Sequence, residues 1–133
     1  MKSDQQFLQE LKEAASGLWV MSESDYPFEI VQLEGEAEPG QQLLRQVSGS
    51  PPDAPVEGRT VDEFFRTKIY YAVEGSRPDE NVTQRTQSIL KLLRENLTEL
   101  RVYRVGTINI AVLILGKSRE GNWLGLSTRV VET

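Results

Sequence analysis

The chain has 133 residues, of which 38% are hydrophobic and 26% are charged, and it carries a formal net charge of −5. This length and composition are those of a single globular domain, residues 1–133, and they exclude an intrinsically disordered chain. The absence of Cys and His excludes disulfides, thiolate zinc sites and histidine-based acid–base chemistry. An acidic chain is also poorly suited to nucleic acid phosphates, so we expect no direct nucleic-acid binding.

The charge is unevenly distributed along the chain. Residues 1–63 contain 13 acidic and four basic residues, whereas residues 64–133 contain seven acidic and 11 basic residues. Within the first half, the stretch from Glu23 to Glu38 has six carboxylates and neither Lys nor Arg. This pattern indicates an acidic surface that presents negative charge to a basic partner.

We predict no membrane-spanning or export segment. The N-terminal sequence MKSDQQFLQELKEAA is polar and lacks the apolar core of a signal peptide. The longest apolar run, Ile110–Leu115, is far too short to cross a bilayer. We therefore expect a cytoplasmic protein with no membrane partner.

The first predicted element is a helix near the N-terminus. Ser3, followed three residues later by Gln6, has the spacing of a capping box. Phe7 and Leu11 then begin an apolar stripe at helical spacing. The pattern predicts a helix that runs to about Ala15.

A loop, a strand, a short helix and a long connection are predicted next. Proline at position 27 is incompatible with a helix interior, so we interpret Ser22–Pro27 as an exposed loop. Phe28–Leu33 has the composition of a strand, and Gln41–Val47 that of a short helix. Ser48–Gly58 is rich in Pro, Gly and Ser and is long for a connection, which indicates either a covering loop or a binding loop.

The second half predicts one long helix followed by strands. Apolar residues recur at helical period from Glu80 to Leu100. Val102–Val105 has strand character, Ile108–Leu115 is apolar at both alternations, and Trp123–Thr133 alternates as a closing strand. Helices interspersed with strands predict an α/β sandwich with a largely antiparallel sheet.

The candidate catalytic groups in this chain are acidic residues and serines. Glu23, Asp25 and Glu29 resemble the acid pairs of glycosidases, but clustered acids on a loop are usually solvated. Ser22 and Ser24 have no histidine partner, and the chain contains no glycine-rich phosphate loop and no EF-hand. We therefore predict a protein that is not an enzyme and has no cofactor.

The end of the chain has two carboxylates in a row. The closing strand leads to the side-chain carboxylate of Glu132 and the terminal carboxylate of Thr133. Carboxylate oxygens are hard ligands that can bind the Mg²⁺ of a partner, whereas a solvated tail is the alternative. At the start of the same strand, Trp123 is either an exposed interface anchor or a packed core residue.

Segments spread over nearly the whole chain match motifs of a known protein family. They are Met21–Glu29 (MSESDYPFE), Pro52–Pro55 (PDAP), Val61–Phe65 (VDEFF), Val102–Arg104 (VYR) and Gly125–Thr133 (GLSTRVVET). On these residues the chain resembles the nuclease A inhibitor (NuiA) family. The resemblance implies a three-layer α/β/α sandwich with a largely antiparallel sheet, a variant of the plant pathogenesis-related-protein fold.

The resemblance also implies a function and a partner. Family members inhibit a sugar-non-specific, Mg²⁺-dependent DNA/RNA endonuclease that the same bacterium makes, and we expect the free protein to be monomeric. By this resemblance, the terminal carboxylate of Thr133 reaches the nuclease's metal, and Glu23 pairs with an arginine of the nuclease active site. We assign four further residues to the nuclease-binding surface: Ser22, Ser24, Asp25 and Glu132.

One contact of the family is not matched by this chain. The family has a tryptophan in the loop before the long helix, whereas no tryptophan lies between Thr67 and Asp79 here. Tyr70 or Tyr71 would take its place only if that loop is rearranged. The difference favours an alternative in which the protein is a non-inhibitory interaction module with another partner.

Overall fold

A computed structural model describes residues 3–15, 18–20, 26–33, 40–61, 70–72 and 80–131. Within these ranges the chain forms helices and strands in mixed order. The helices are α1 (Asp4–Ala15), α2 (Gln41–Val47) and α3 (Glu80–Asn96). The strands are β1 (Leu18–Val20), β2 (Tyr26–Pro27), β3 (Glu29–Leu33), β4 (Val56–Arg59), β5 (Tyr70–Ala72), β6 (Thr98–Val105), β7 (Asn109–Lys117) and β8 (Trp123–Val131).

Helix α1 begins at the cap predicted from the sequence. The hydroxyl of Ser3 accepts a 3.2 Å hydrogen bond from the backbone N–H of Gln6, and the Ser3 carbonyl accepts one of 2.9 Å from Phe7. Phe7, Leu11 and Ala15 are buried on one side of the helix. The predicted helix and its end at Ala15 are confirmed.

Helix α3 ends earlier than the apolar pattern predicts. The pattern continues to Leu100, whereas the helix ends at Asn96 and β6 follows almost at once. Glu99 has a φ of 53°, a left-handed conformation that is incompatible with a continuing helix. Leu100 therefore lies in β6, and it still packs against the same hydrophobic cluster as Leu97. Because Leu97 and Leu100 pack in the same core, the start of β6 continues the apolar spacing of the helix.

The strands form two antiparallel sheets. The larger has five strands in the order β3-β8-β7-β6-β4, and the smaller has three in the order β2-β1-β5. Every strand pair in the described residues is antiparallel. The predicted mixed α/β fold with a largely antiparallel sheet is thus confirmed, while the three-layer sandwich and its relation to the plant pathogenesis-related proteins stay predictions.

Apolar residues of the large sheet divide between two hydrophobic clusters. The first cluster joins the sheet to α1 and α3 and includes Val112. The second joins it to α2 and includes Leu44, Leu113 and Trp123. Neighbouring residues of β7 belong to different clusters, which confirms that this strand is covered on both faces. Trp123 is only 2% exposed, so it is a packed core residue and not an exposed anchor.

The predicted loop at Ser22–Pro27 is shorter than expected. Tyr26 and Pro27 form β2, which pairs with β1. Proline is tolerated there because β2 is an edge strand of the small sheet, and an edge strand leaves one side without ladder hydrogen bonds. Of the helices in the described part of the chain, none has the combination of length and hydropathy needed to span a membrane.

Candidate functional site

All six residues predicted to bind a nuclease lie outside the described residues. They are Ser22, Glu23, Ser24, Asp25, Glu132 and Thr133. The strands next to them in the chain are described, and their pairing gives the positions from which the two segments extend. The candidate site is therefore built from those strand ends.

The first segment, residues 21–25, connects two paired strands. Its neighbours Val20 and Tyr26 are register partners in the antiparallel pair of β1 and β2. On the other side of β1, Val20 is also the register partner of Tyr70 in β5. The two residues that flank this segment, Val20 and Tyr26, are therefore neighbours in the small sheet. Tyr70 lies beside Val20 on the other side.

The second segment, residues 132–133, follows the end of β8. The last residue of β8, Val131, is paired with Asn109 of β7. On the opposite side of β8, β3 begins at Glu29, the register partner of Ser127, so the chain before Glu29 runs toward Val131. Strand β2 lies in that part of the chain and contacts β8. The strand ends that flank both predicted segments thus lie toward the same end of β8.

Arg129 ties this end of β8 to two other elements. Its Nη2 donates a 2.7 Å hydrogen bond to the carbonyl oxygen of Ser48, and its Nη1 donates one of 3.3 Å to the side-chain oxygen of Asn109. Ser48 is the C-cap of α2, is buried, and donates its own N–H to Leu44. The last residues of β8 are therefore fixed to the C-terminus of α2 and to the start of β7.

The connection after α2 supports the same end of the sheet. Ala54 is buried in the second hydrophobic cluster, and its carbonyl accepts a 2.7 Å hydrogen bond from Nε of Arg45. The carbonyl of Pro55 accepts a 3.0 Å hydrogen bond from the N–H of Gly106, in the turn between β6 and β7. Gly106 has a φ of 115°, which favours glycine. Ala54 thus covers part of the sheet, whereas the predicted connection Ser48–Gly58 ends earlier than expected, because Val56–Arg59 forms β4.

The family model described as nuclease A inhibitor-like protein matches residues 5–133. The chain belongs to this family. Among curated proteins, no significant match to the chain was found. The predicted resemblance is thereby confirmed, and the matched range includes residues 21–25 and 132–133.

Two exposed hydrophobic residues are chain neighbours of residues that Arg129 joins. Among the residues whose side chains are described, the large exposed hydrophobics are Leu43, Val47 and Ile108, which are 38%, 42% and 57% exposed. Val47 precedes Ser48 and Ile108 precedes Asn109, the two residues that Arg129 joins. The sequence prediction that included Ile108 in a fully covered strand was wrong, because β7 begins one residue later.

No group of three or more acidic side chains in the described ranges is arranged to hold a metal ion. Two structural residues of this end, Arg129 and Ser48, were not singled out from the sequence, because they are 81 positions apart and no local pattern links them.

Proposed function

We propose that this chain is a proteinaceous inhibitor of a sugar-non-specific, Mg²⁺-dependent DNA/RNA endonuclease and that it binds in the nuclease active site. The family match over residues 5–133 carries this proposal. The proposal includes the finer fold, a three-layer α/β/α sandwich of the plant pathogenesis-related type, in a monomeric protein of the bacterial cytoplasm. Support for the layers comes from the separate clusters that α1 with α3 and α2 form on the large sheet.

The proposed mechanism replaces substrate phosphates with carboxylates. A nuclease active site holds phosphates and therefore presents arginine, lysine and a metal ion. Glu23 pairs with an active-site arginine, because a carboxylate and a guanidinium form short, charge-assisted hydrogen bonds. The terminal carboxylate of Thr133 binds the Mg²⁺ of the nuclease, which prefers oxygen ligands. The ion belongs to the partner, so the inhibitor supplies one ligand and no metal site.

The other predicted residues surround these two contacts. Ser22 and Ser24 offer hydroxyls on either side of Glu23, while Asp25 and Glu132 add negative charge at the rim. Charge of this kind raises the association rate by about 10- to 1,000-fold at low salt. It contributes less to the lifetime of the complex, because rim charges remain solvated.

The arrangement of the strands supports a shared contact surface. Residues 21–25 connect Val20 to Tyr26, and residues 132–133 follow Val131. Because β2 contacts β8 and the chain before β3 runs toward Val131, the strand ends next to the two carboxylate-bearing segments lie in one part of the fold. A single active-site cleft can accommodate both only if they are neighbours.

The decisive experiment measures inhibition of a purified Mg²⁺-dependent non-specific endonuclease by three proteins. These are the unmodified chain, a variant that lacks Thr133, and a variant with one glycine added after Thr133. We expect each change at the C-terminus to weaken inhibition by at least about 30-fold without changing the melting temperature. The matched control is a glycine added before Met1, which leaves inhibition unchanged.

Two results would contradict the proposal in different ways. Full inhibition by the glycine-extended variant would remove the metal contact and leave the inhibitor function standing. Failure of the unmodified chain to inhibit any Mg²⁺-dependent non-specific endonuclease of its own cell would remove the inhibitor function itself.

A second candidate function is a non-inhibitory interaction module on the same scaffold. The lack of a tryptophan between Thr67 and Asp79 favours it. Tyr70 and Tyr71 belong to β5, where they pair with β1, so their backbone is part of the small sheet. Capture of partners from the native cell separates the two functions: a specific non-nuclease partner, together with no effect on the endonucleases, supports the module.

A further inference from the structure

We propose that Arg129 is a positioning residue for the nuclease contact at the end of β8. It fixes the direction in which the chain leaves Val131, and it acts without touching the nuclease. This inference rests on the proposed function, because it assigns a role in that function to a residue of the scaffold.

The geometry of Arg129 fits this role. Its side chain reaches from β8 to Asn109 of β7 and to the Ser48 carbonyl at the end of α2. A guanidinium is planar and has five donors, so one arginine can hold two separate acceptors at once. Arg129 is only two residues from Val131, where the described part of β8 ends.

The acceptor at Ser48 is itself held in place. The Ser48 hydroxyl donates a 3.1 Å hydrogen bond to the Arg45 carbonyl and lies 2.8 Å from the hydroxyl of Ser50. Its backbone N–H donates to the carbonyl of Leu44, whose side chain is buried in the second cluster. Arg129 therefore joins β8 to a residue that is itself hydrogen-bonded to α2 and close to the hydroxyl of Ser50.

The position of Val131 matters because the residues that follow it must lose conformational freedom when they bind the nuclease. Each residue that is already ordered in the free inhibitor reduces this loss, and the affinity rises accordingly. Most such differences between related complexes are expressed in the dissociation rate. Loss of the Arg129 hydrogen bonds would make the residues next to the C-terminal contact order only on binding.

The positive charge of Arg129 and its hydrogen bonds predict opposite effects of its removal on nuclease binding. An inhibitor of a cationic active site gains association rate when it loses a positive charge. If Arg129 acted through its charge alone, its removal would strengthen binding. The positioning role predicts the opposite, a faster dissociation.

The experiment measures association and dissociation rates with a Mg²⁺-dependent non-specific endonuclease. Arg129→Met and Arg129→Lys are each made in the full chain and in a chain that lacks Thr133. In the full chain we expect Arg129→Met to dissociate about tenfold faster, with association unchanged or faster. Arg129→Lys keeps the charge but lacks the planar fork whose two nitrogens reach the separate acceptors, so it also dissociates faster. Without Thr133, both substitutions change the dissociation rate little.

The matched control is Asp4→Ala, which removes buried hydrogen bonds near the other end of β8, about 25 Å away along the strand. It lowers stability while leaving the dissociation rate unchanged. Equal effects of Arg129→Met with and without Thr133, or an equal effect of Asp4→Ala, would overturn the positioning role. An unmodified chain that does not inhibit would instead overturn the proposed function.

A measurement on the free protein tests the same inference without a nuclease. The backbone amide order parameters of Val131 and Glu132, obtained from ¹⁵N relaxation, report motion on the picosecond to nanosecond timescale. We expect Arg129→Met to lower them relative to the unmodified chain, while Asp4→Ala leaves them unchanged. Unchanged order parameters in Arg129→Met would overturn the positioning role whatever the partner is.

Discussion

The carboxylate of Asp4 accepts a 2.9 Å hydrogen bond from the side-chain amide of Asn122, which lies 118 positions further along the chain. The same carboxylate oxygen accepts a 3.1 Å hydrogen bond from the hydroxyl of Ser118. The carboxylate of Glu120 accepts a 2.7 Å hydrogen bond from the backbone N–H of Asp4. The first residue of α1 is thereby fixed to the turn between β7 and β8, so the helix and the sheet are joined at their ends as well as through their apolar faces.

Replacing Asp4 with alanine is expected to destabilise the fold. Ser118 and Asn122 would lose their shared acceptor, and Asp4 itself is buried. Unsatisfied buried donors cost about 1–3 kcal/mol of unfolding free energy. Urea denaturation of Asp4→Ala measures this loss, with exposed Asp53→Ala as the control that stays within about 0.5 kcal/mol. Equal stability of the two variants would show that the turn does not depend on Asp4.

Gly125 is expected to be irreplaceable at its position in β8. It is the register partner of Leu115, and a Cβ added to it would overlap the backbone carbonyl of Ile114. The backbone of β7 cannot shift away without breaking hydrogen bonds to its neighbouring strands. Gly125→Ala should therefore lower the unfolding free energy by about 2 kcal/mol or more. The control is Gly58→Ala, since a Cβ there meets nothing within 4 Å. Thermal and urea unfolding of both variants measure the difference in stability. A Gly125→Ala protein as stable as Gly58→Ala would contradict the close approach of Gly125 to the Ile114 carbonyl.

Two adjacent leucines of α2 give a matched pair of substitutions. Leu44 is 1% exposed and packs in the second hydrophobic cluster, whereas Leu43 is 38% exposed. Leu44→Ala is expected to cost about 2–5 kcal/mol of unfolding free energy, because it leaves a cavity beneath the helix. Leu43→Ala should cost far less, although both changes remove the same atoms. Similar losses in chemical denaturation would mean that α2 does not cover the sheet as described.

Local sequence signals predicted much of the fold. The Ser3 cap and the apolar spacing of Phe7 and Leu11 gave α1, whose start and end agree with the structure. The short helix Gln41–Val47 and the antiparallel sheet agree as well. Each of these depends on neighbouring residues or on alternation along one strand, which a sequence displays directly.

Other features depend on distant residues and were missed or misjudged. The end of α3 was misplaced because Leu100 of β6 continues the apolar pattern of the helix while packing in the same cluster. The role of Arg129 follows from its contact with Ser48, 81 positions away, for which the sequence has no local signal. The binding residues Glu23 and Thr133 came from the family resemblance, lie outside the described residues, and remain predictions.

Salt should slow association with the nuclease much more than it speeds dissociation. In the proposed complex, the six carboxylates between Glu23 and Glu38 would attract a cationic active site over long distances, and mobile ions would screen that attraction. Raising the salt from about 0.02 M to about 0.5 M is expected to lower the association rate by about tenfold or more. Stopped-flow measurement of both rates across this range provides the check. An association rate independent of salt would contradict electrostatic steering.

Glu23 should determine the lifetime of the inhibitor–nuclease complex. In the proposed complex, Glu23→Ala would leave an arginine of the nuclease buried without its partner. The expected cost is about 2 kcal/mol or more, which corresponds to about a 30-fold faster dissociation. The matched control is Glu13→Ala, an exposed acid on α1. Both substitutions remove one negative charge, so both slow association to a similar small degree, whereas only Glu23→Ala shortens the lifetime. Dissociation rates that agree for the two variants would show that Glu23 steers the approach of the nuclease without forming the central ion pair.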